Sequence, residues 1–414
     1  MPEAPVVDSP ADSTPIRVVL KERRAQPFFG RHPWVFEGAI DAVESDAGEE
    51  PAAGAIVELW SAKNEFVAHG LWNPQSNIRV RLYSWDQHQP LNNELLHQKV
   101  KTAVELRRSM FDLTSDKTAC RMIFSEADGL SGLAVDFYGR YLLVQFTSLA
   151  LFKYRNAIVD ALQQEVQPLG IWLRTEKGMR ETEGLEIVDG LISGQAPPRP
   201  MFMNDHGVEY GVDVQEGQKT GCYLDQRDNR IFAAKYVKGC HVLDAFCFSG
   251  GFGITAAVKG GATRVLGVDS SEPALVLAAA NAELNGVADR CSFRRGDVRA
   301  ELESMAEQGT KFDVVVLDPP RMARTRGGLG RALNGYSRLN ELGVDVLKPG
   351  GILVTCSCSG LVSRADFLEM IAGVARVTGR DIQILEQHGQ PADHPVSATC
   401  PETEYLKMLI CRVL

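Results

Sequence analysis

No stretch of this 414-residue sequence approaches the roughly 20 consecutive apolar residues needed to span a bilayer. Met1 to Pro15 carry neither a basic n-region nor an apolar h-region, which argues against a secretory signal. Their Pro, Ser, Ala and Asp content is that of a disordered leader, 1–15. The nine cysteines are odd in number and far apart, at Cys120, Cys222, Cys240, Cys247, Cys291, Cys356, Cys358, Cys400 and Cys411. Such spacing offers no disulfide framework, so a reducing cytoplasm is the expected setting. No His/Cys set stands at zinc-like spacing, so no metal is expected. Positive charge is in deficit: the net charge of −9 weighs against a nucleic-acid partner. It does not exclude one, because phosphate binding follows local patches rather than totals.

What is present is ordinary for a globular protein, at 44% hydrophobic and 23% charged residues, and long enough for two or three domains. Two local patches run against the overall charge. Arg17, Lys21, Arg23, Arg24 and Arg31 stand against the single acid Glu22, and Arg321, Arg324, Arg326 and Arg331 form a second group without acids. Residues 16–90 alternate short β-like runs (Arg17-Leu20, Ala55-Leu59, Phe66-Gly70, Ile78-Tyr83) with turns, which predicts a small β-barrel or sandwich. Residues 91–195 read as an α+β unit ending near Gly190. A helix over about Leu91 to Asp112 carries Leu95, Val100, Val104 and Leu106 on one side. A hairpin turns at Tyr138-Gly139-Arg140, a helix spans about Leu151 to Gln164, and a strand follows at about Gly170 to Arg174. Ala196 to Pro200 reads as a linker. In 200–414, apolar strands alternate with helices, the pattern of a parallel sheet covered on both faces. The fold class is therefore α/β.

The segment Val242-Leu243-Asp244-Ala245-Phe246 runs into Cys247-Phe248-Ser249-Gly250-Gly251-Phe252-Gly253 and then a helix. A strand, a small-residue loop and a helix place backbone N–H groups beside a ligand. A second strand ends in Asp269, 25 residues after Asp244, placed to accept both hydroxyls of a ribose. Asp297 follows a third strand and is placed to meet the exocyclic amine of an adenine. The full G-x-G-x-x-G fingerprint is missing, and so is a P-loop lysine, which disfavours dinucleotides and ATP hydrolysis. S-adenosylmethionine fits best. The expected cofactor-binding set is Gln226, Arg230, Asp244, Phe246, Ser249, Gly250, Gly251, Asp269, Ser270, Asp297, Asp318 and Pro319.

Phe312 to Leu317 is an apolar strand that breaks at Asp318-Pro319-Pro320-Arg321. Proline cannot continue a ladder, so Asp318 is fixed at the carboxyl end of a parallel strand, where ligands bind in open α/β sheets. Pro320 and Arg321 are expected to contact substrate, the prolines offering rigid carbonyls to a planar base. Some forty residues on, Cys356-Ser357-Cys358-Ser359-Gly360 ends the next strand. A cytosine C5 is a poor nucleophile until a thiolate adds to C6, so Asp318 and Cys358 are the expected catalytic pair. The arginines after Asp318 could supply the positive charge that lowers a thiol pKa. A thiol at a strand end can equally be a small buried hydrophobe. The polar block Lys219 to Arg230 reads either as a helix start with an exposed face or as a flap over the methionine end of the cofactor, and Tyr223 or Phe248 could hold a flipped base.

Several of these segments resemble the bacterial 23S ribosomal RNA 5-methylcytosine methyltransferases of the RlmI type. The resemblance rests on Arg31-His32-Pro33-Trp34-Val35-Phe36, Thr220 to Asp228, Asp318-Pro319-Pro320-Arg321, Cys356 to Gly360, and Ala392-Asp393-His394-Pro395-Val396. It implies an N-terminal RNA-binding PUA domain, a central α+β domain and a C-terminal Rossmann-like methyltransferase. It also implies ribosomal RNA as partner and no membrane. Met322 and Ala323 stand where related enzymes carry a first cysteine, and Cys358 rather than Cys356 falls where they have the attacking thiol, with Cys356 as the alternative nucleophile. Other functions consistent with the residues are N-methylation of a guanine or adenine, and a non-catalytic RNA-binding role in ribosome assembly. The oligomeric state is left open, a homodimer being one arrangement compatible with the sequence.

Overall fold

The computed structural model describes residues 15–45, 50–175, 178–186, 189–214, 222–323 and 325–414. Nearly all of the leader therefore lies outside the described residues, as do Lys219, Thr220, Gly221 and Arg324. Among the described residues no helix is long and apolar enough to cross a membrane.

Among the described residues the first sheet has six strands, in the order Trp34–Phe36, Ile78–Ser84, Phe66–Trp72, Ile56–Trp60, Ile16–Leu20, Ile40–Glu44. Alternation puts Val18, Leu20, Val57, Leu59, Val80 and Leu82 into one core. The strands Trp34–Phe36 and Ile40–Glu44 were not expected from sequence, because each is short and rich in partly exposed residues.

The middle of the chain forms a five-stranded sheet with two helices packed together, Asn93–Met110 and Arg155–Val166. The hairpin expected at Gly139-Arg140 is present, both residues having positive φ. Three expectations need correction. Leu106 is exposed, because it falls about a quarter turn off the face built by Leu96, Val100, Ala103 and Arg107. The second helix is two pieces, Leu149–Phe152 and Arg155–Val166, the first capped by Ser148. The sheet also runs past Gly190, because Gly190–Gly194 pairs antiparallel with Gly170–Leu173.

Buried polar ties lock this middle region to its neighbours. Arg107, fully buried within its helix, makes a bidentate pair with Asp128 (2.6 and 2.8 Å) and also donates to the Asp393 carbonyl at 2.8 Å. Asp393 accepts from the Arg121 N–H at 2.9 Å. Although burial opposes ionisation of Asp393, His394 and Arg227 beside it and the Arg121 N–H hold its carboxyl down to about 2. On the other side, Trp34 Nε1 donates to Glu126 at 2.9 Å, and His32 Nε2 lies 3.3 Å from Glu402. Two of the segments that carry the resemblance thus serve, in the structure, as joints between regions.

The C-terminal sheet orders its seven strands Cys291–Arg295, Arg264–Asp269, His241–Ala245, Phe312–Leu317, Leu347–Ser357, Lys407–Val413, Ile382–His388. The first five are parallel, and Lys407–Val413 is antiparallel to both of its neighbours. Alternate residues feed two cores, one holding Val242, Val314, Val316, Val354 and Cys356, the other Leu243, Val315, Leu317, Leu353 and Leu409. Strand order reverses between His241–Ala245 and Phe312–Leu317. A crevice opens at such a switch point, and the loops after these two strands line it.

Candidate active site

On one side of the switch point, Gly250 has φ +84°, and a Cβ there would meet Ile254 at 2.7 Å. A Cβ on Gly251 would lie 2.8 Å from Arg230 Nε. Phe246 and Phe248 hold left-handed φ of 65° and 48°, a costly state for bulky residues and one typical of loops shaped for a ligand. Asp269 fixes that loop: its carboxylate accepts from the N–H groups of Phe248 and Ser271, each at 2.9 Å. Asp244 is buried beneath the loop and accepts from the Gly253 N–H at 2.7 Å. Burial raises its carboxyl to about 7, the Gly253 N–H opposing and the neighbouring Asp318 adding to the shift. Ser249 is buried and Ser270 exposed, and Asp297 is exposed and caps the next helix through the Ala300 N–H at 3.0 Å.

Asp318 lies on the other side, its Oδ1 accepting from Gln226 Nε2 at 2.9 Å. Gln226 is positioned in turn by Asn229, 2.6 Å from its Oε1. The described part of the polar block is therefore not an exposed helix face. Arg227, Asn229 and Arg230 are buried, and Arg230 pairs with Asp205 at 3.2 Å and donates to the Tyr223 carbonyl at 2.8 Å. The flap expectation rests partly on residues 219–221, outside the described residues. Tyr223 and Phe248 meet edge to face, with ring centroids 5.1 Å apart.

Cys358 follows the Leu347–Ser357 strand, with its Sγ 3.8 Å from the Pro319 carbonyl oxygen. The thiol is partly exposed, whereas Cys356, two residues earlier, is completely buried. Burial, with Asp318 nearby, pushes the Cys356 thiol well above its ordinary range. Pro319 is buried, and Pro320 and Arg321 are exposed. Arg321 Nε folds back onto the Ala323 carbonyl at 3.0 Å. Met322 and Ala323 do have a role: both N–H groups donate to Ser359 Oγ (3.1 and 3.2 Å), which Tyr336 OH also meets at 3.0 Å. The Asp-Pro-Pro loop and the cysteine turn are thereby pinned together.

Sequence reasoning missed two residues here. Tyr405 OH donates to Asp225 at 2.7 Å, and burial followed by the Asp225 charge raises the phenol well above its usual range. Lys407 is 2% exposed and donates to the carbonyls of Ser359 (2.7 Å) and Tyr405 (2.9 Å). The available signal was a lysine opening a strand that is apolar from Met408 to Cys411. Elsewhere, His32, Cys400 and Glu402 bring three potential ligand atoms within 4.8 Å of one another. That grouping joins distant parts of the chain, and local spacing does not reveal it.

Comparison with known proteins agrees with this fold. Residues 18–85 match the family model of a PUA-like domain, and residues 191–409 that of an S-adenosylmethionine-dependent methyltransferase. The chain is 39% identical to ribosomal RNA large subunit methyltransferase I of Photobacterium profundum, over 96% of this chain and 99% of that protein. It is 36% identical to the protein of the same name from Erwinia tasmaniensis, over 96% and 100%. A solved structure from Streptococcus mutans, assigned as a SAM-dependent methyltransferase, superposes with a TM-score of 0.82 at 20% identity, covering 96% of this chain and all of that one. Another, assigned as a methyltransferase and solved in complex with SAH, gives 0.83 at 20% identity and the same coverage. At that identity the likeness of the solved structures is one of fold.

Proposed function

The chain belongs to the ribosomal RNA large subunit methyltransferase I family, and from that premise we propose that it forms 5-methylcytosine in large-subunit (23S) ribosomal RNA, with Cys358 as nucleophile. The observation that carries this reading is the placement of a partly exposed thiol 3.8 Å from the Pro319 carbonyl, next to Asp318, at the open end of the sheet. N-methylation of a base needs no thiol there.

The residues present fit S-adenosylmethionine. Gly251 leaves room against Arg230, whose buried Nε has no acceptor among the described residues. The carboxylate of an amino-acid moiety would satisfy that donor. Asp269, already oriented by two N–H groups, is turned to a ribose, with Phe246, Ser249 and Ser270 around it. Asp297, with one oxygen committed to its helix, reaches the adenine edge. When bound, the sulfonium supplies an electrophilic methyl group. Asp244 supports the loop from beneath. Gln226 fixes the Asp318 carboxylate at the boundary between cofactor and base.

On the substrate side, a cytosine lies against Pro319, Pro320 and Arg321. The Cys358 thiolate forms an S–C6 bond, and the displaced electron pair moves to C5 and toward N3, to which Asp318 in its protonated form would donate a hydrogen bond through the oxygen that does not accept from Gln226. C5 takes the methyl group, a base removes the C5 proton, and the returning electrons expel the thiolate. Residues 16–90 would hold flanking RNA, with 91–195 as spacer and 200–414 as the catalytic unit.

The test is incubation with labelled S-adenosylmethionine and unmodified ribosomal RNA, followed by nucleoside mass spectrometry. The reading predicts 5-methylcytosine from wild type and from Cys356→Ala. For Cys358→Ala it predicts a loss of about 1,000-fold or more, with cofactor affinity retained. A methylated purine, or full activity in Cys358→Ala, would contradict it.

A further inference from the structure

A thiol that must attack as thiolate needs a nearby positive charge, and the arginines after Asp318 looked suited to supply it. The geometry places a different cation, Lys407, in direct contact with the cysteine turn. The Lys407–Val413 strand is antiparallel to the cysteine strand, so its beginning, not its end, reaches the open edge of the sheet, and Lys407 registers opposite Ser357. Its Nζ then reaches past that partner to the Ser359 carbonyl at 2.7 Å. Cys358 is the residue between the one Lys407 faces and the one it binds. An ammonium has three donors, and the carbonyls of Ser359 and Tyr405 take two of them.

We propose that Lys407 is a positioning residue for methyl transfer: its buried ammonium fixes the turn bearing Cys358 and stabilises the thiolate form of that cysteine. This rests on the reading of Cys358 as nucleophile. In the proposed step the S–H proton leaves to solvent while Lys407 keeps its own. The lysine therefore acts as a fixed counter-charge and not as a base.

Two observations support the assignment. A lysine is almost never fully buried unless it is paired, yet this one opens a core strand at 2% exposure. Burial lowers it to about 8, while Glu404 and the Cys358 thiolate pull the other way, so ammonium and thiolate sense each other. The other groups around the pair are accounted for. Arg364 is engaged by Glu404 at 2.9 Å, and Arg121 by Asp136. Asp366 is tied into the cap of its own helix by Ser363. Tyr405 and Tyr336 are held by Asp225 and Ser359, and both phenols are raised, mainly by burial, so they stay neutral beside the thiol. Cys356 likewise stays protonated, and Asp318 faces the turn from the adjoining strand.

The experiment measures the alkylation rate of Cys358 by iodoacetamide, read on its peptide by mass spectrometry. It uses the full chain without RNA or cofactor, from about pH 5.5 to 10. Lys407→Gln keeps N–H donors for the two carbonyls but removes the charge. Its midpoint is expected to rise by about one pH unit or more, with a roughly tenfold slower rate near neutrality. Lys407→Arg should stay within about half a unit of wild type. If Lys407→Gln, shown to be folded by retained S-adenosylmethionine binding, titrates like wild type, the lysine only staples the turn and the proposal is overturned. If Lys407→Gln does not fold, Lys407→Arg decides: a midpoint raised by a unit or more in a folded arginine variant also overturns it. Failure of the nucleophile reading is seen separately, as full methyl transfer by Cys358→Ala.

Discussion

On the cofactor side of the crevice each carboxylate is set by backbone N–H groups close in sequence, whereas on the thiol side each group is held by a residue from far along the chain. Asp297 bonds a residue three positions away, Asp244 one nine away, and Asp269 one 21 away. Across the switch point the separations are 92 for Gln226 and Asp318, 180 for Asp225 and Tyr405, and 48 for Lys407 and Ser359. The proposed cofactor site is thus built from local strand–loop–helix units. The proposed nucleophile, Cys358, is set by the assembled sheet. The two functions should therefore separate under mutation.

Asp269→Ala tests that separation most strongly from the cofactor side. Removing a charged acceptor is worth about 1.5–3 kcal/mol, so S-adenosylmethionine affinity by calorimetry should fall roughly 10- to 100-fold. The alkylation profile of Cys358 should not move. If both change together, the halves are coupled and the contrast fails.

A smaller effect is expected from Asp244→Asn, whose amide oxygen can still accept the Gly253 N–H. Burial raises the folded carboxyl from 3.8 to about 7, so between those values the folded chain holds a proton that the unfolded chain has released. Stability from this group is therefore present at low pH and is lost as pH rises through that window. Asparagine has no such slope. The Tm of Asp244→Asn relative to wild type should climb by a few degrees from about pH 4 to pH 7 and then level off. Parallel Tm curves would show that the carboxyl ionises freely in the folded chain.

The same contrast explains what could be read from the sequence. The parallel sheet, the glycine loop and the acids ending successive strands are legible because hydrophobic period and loop chemistry are local signals. Asp318 was legible because a double proline can only end a strand. Cys358 needed only the inference that adjacent parallel strands end together. Lys407 and Tyr405 were hidden, because nothing in Leu406 to Leu414 says that this strand runs antiparallel and brings its start to the site. Arg321 shows the converse: it adjoins Asp318 in sequence, but that proximity does not reveal that its Nε turns back onto the Ala323 carbonyl of its own loop. The segment around Asp393-His394, one of those that carry the resemblance, is an interregional clamp, built on a buried arginine more than 250 residues away.

The central claim is that Cys358 bonds covalently to a cytosine during methyl transfer. Ribosomal RNA substituted with 5-fluorocytosine tests it directly. Once C5 carries both fluorine and methyl it has no proton to lose, so the S–C6 bond persists. Incubation with S-adenosylmethionine should yield a denaturation-resistant protein–RNA complex whose cross-linked peptide carries the nucleotide on Cys358. Attachment at Cys356, or no complex from an enzyme that methylates the unfluorinated RNA, would contradict the account.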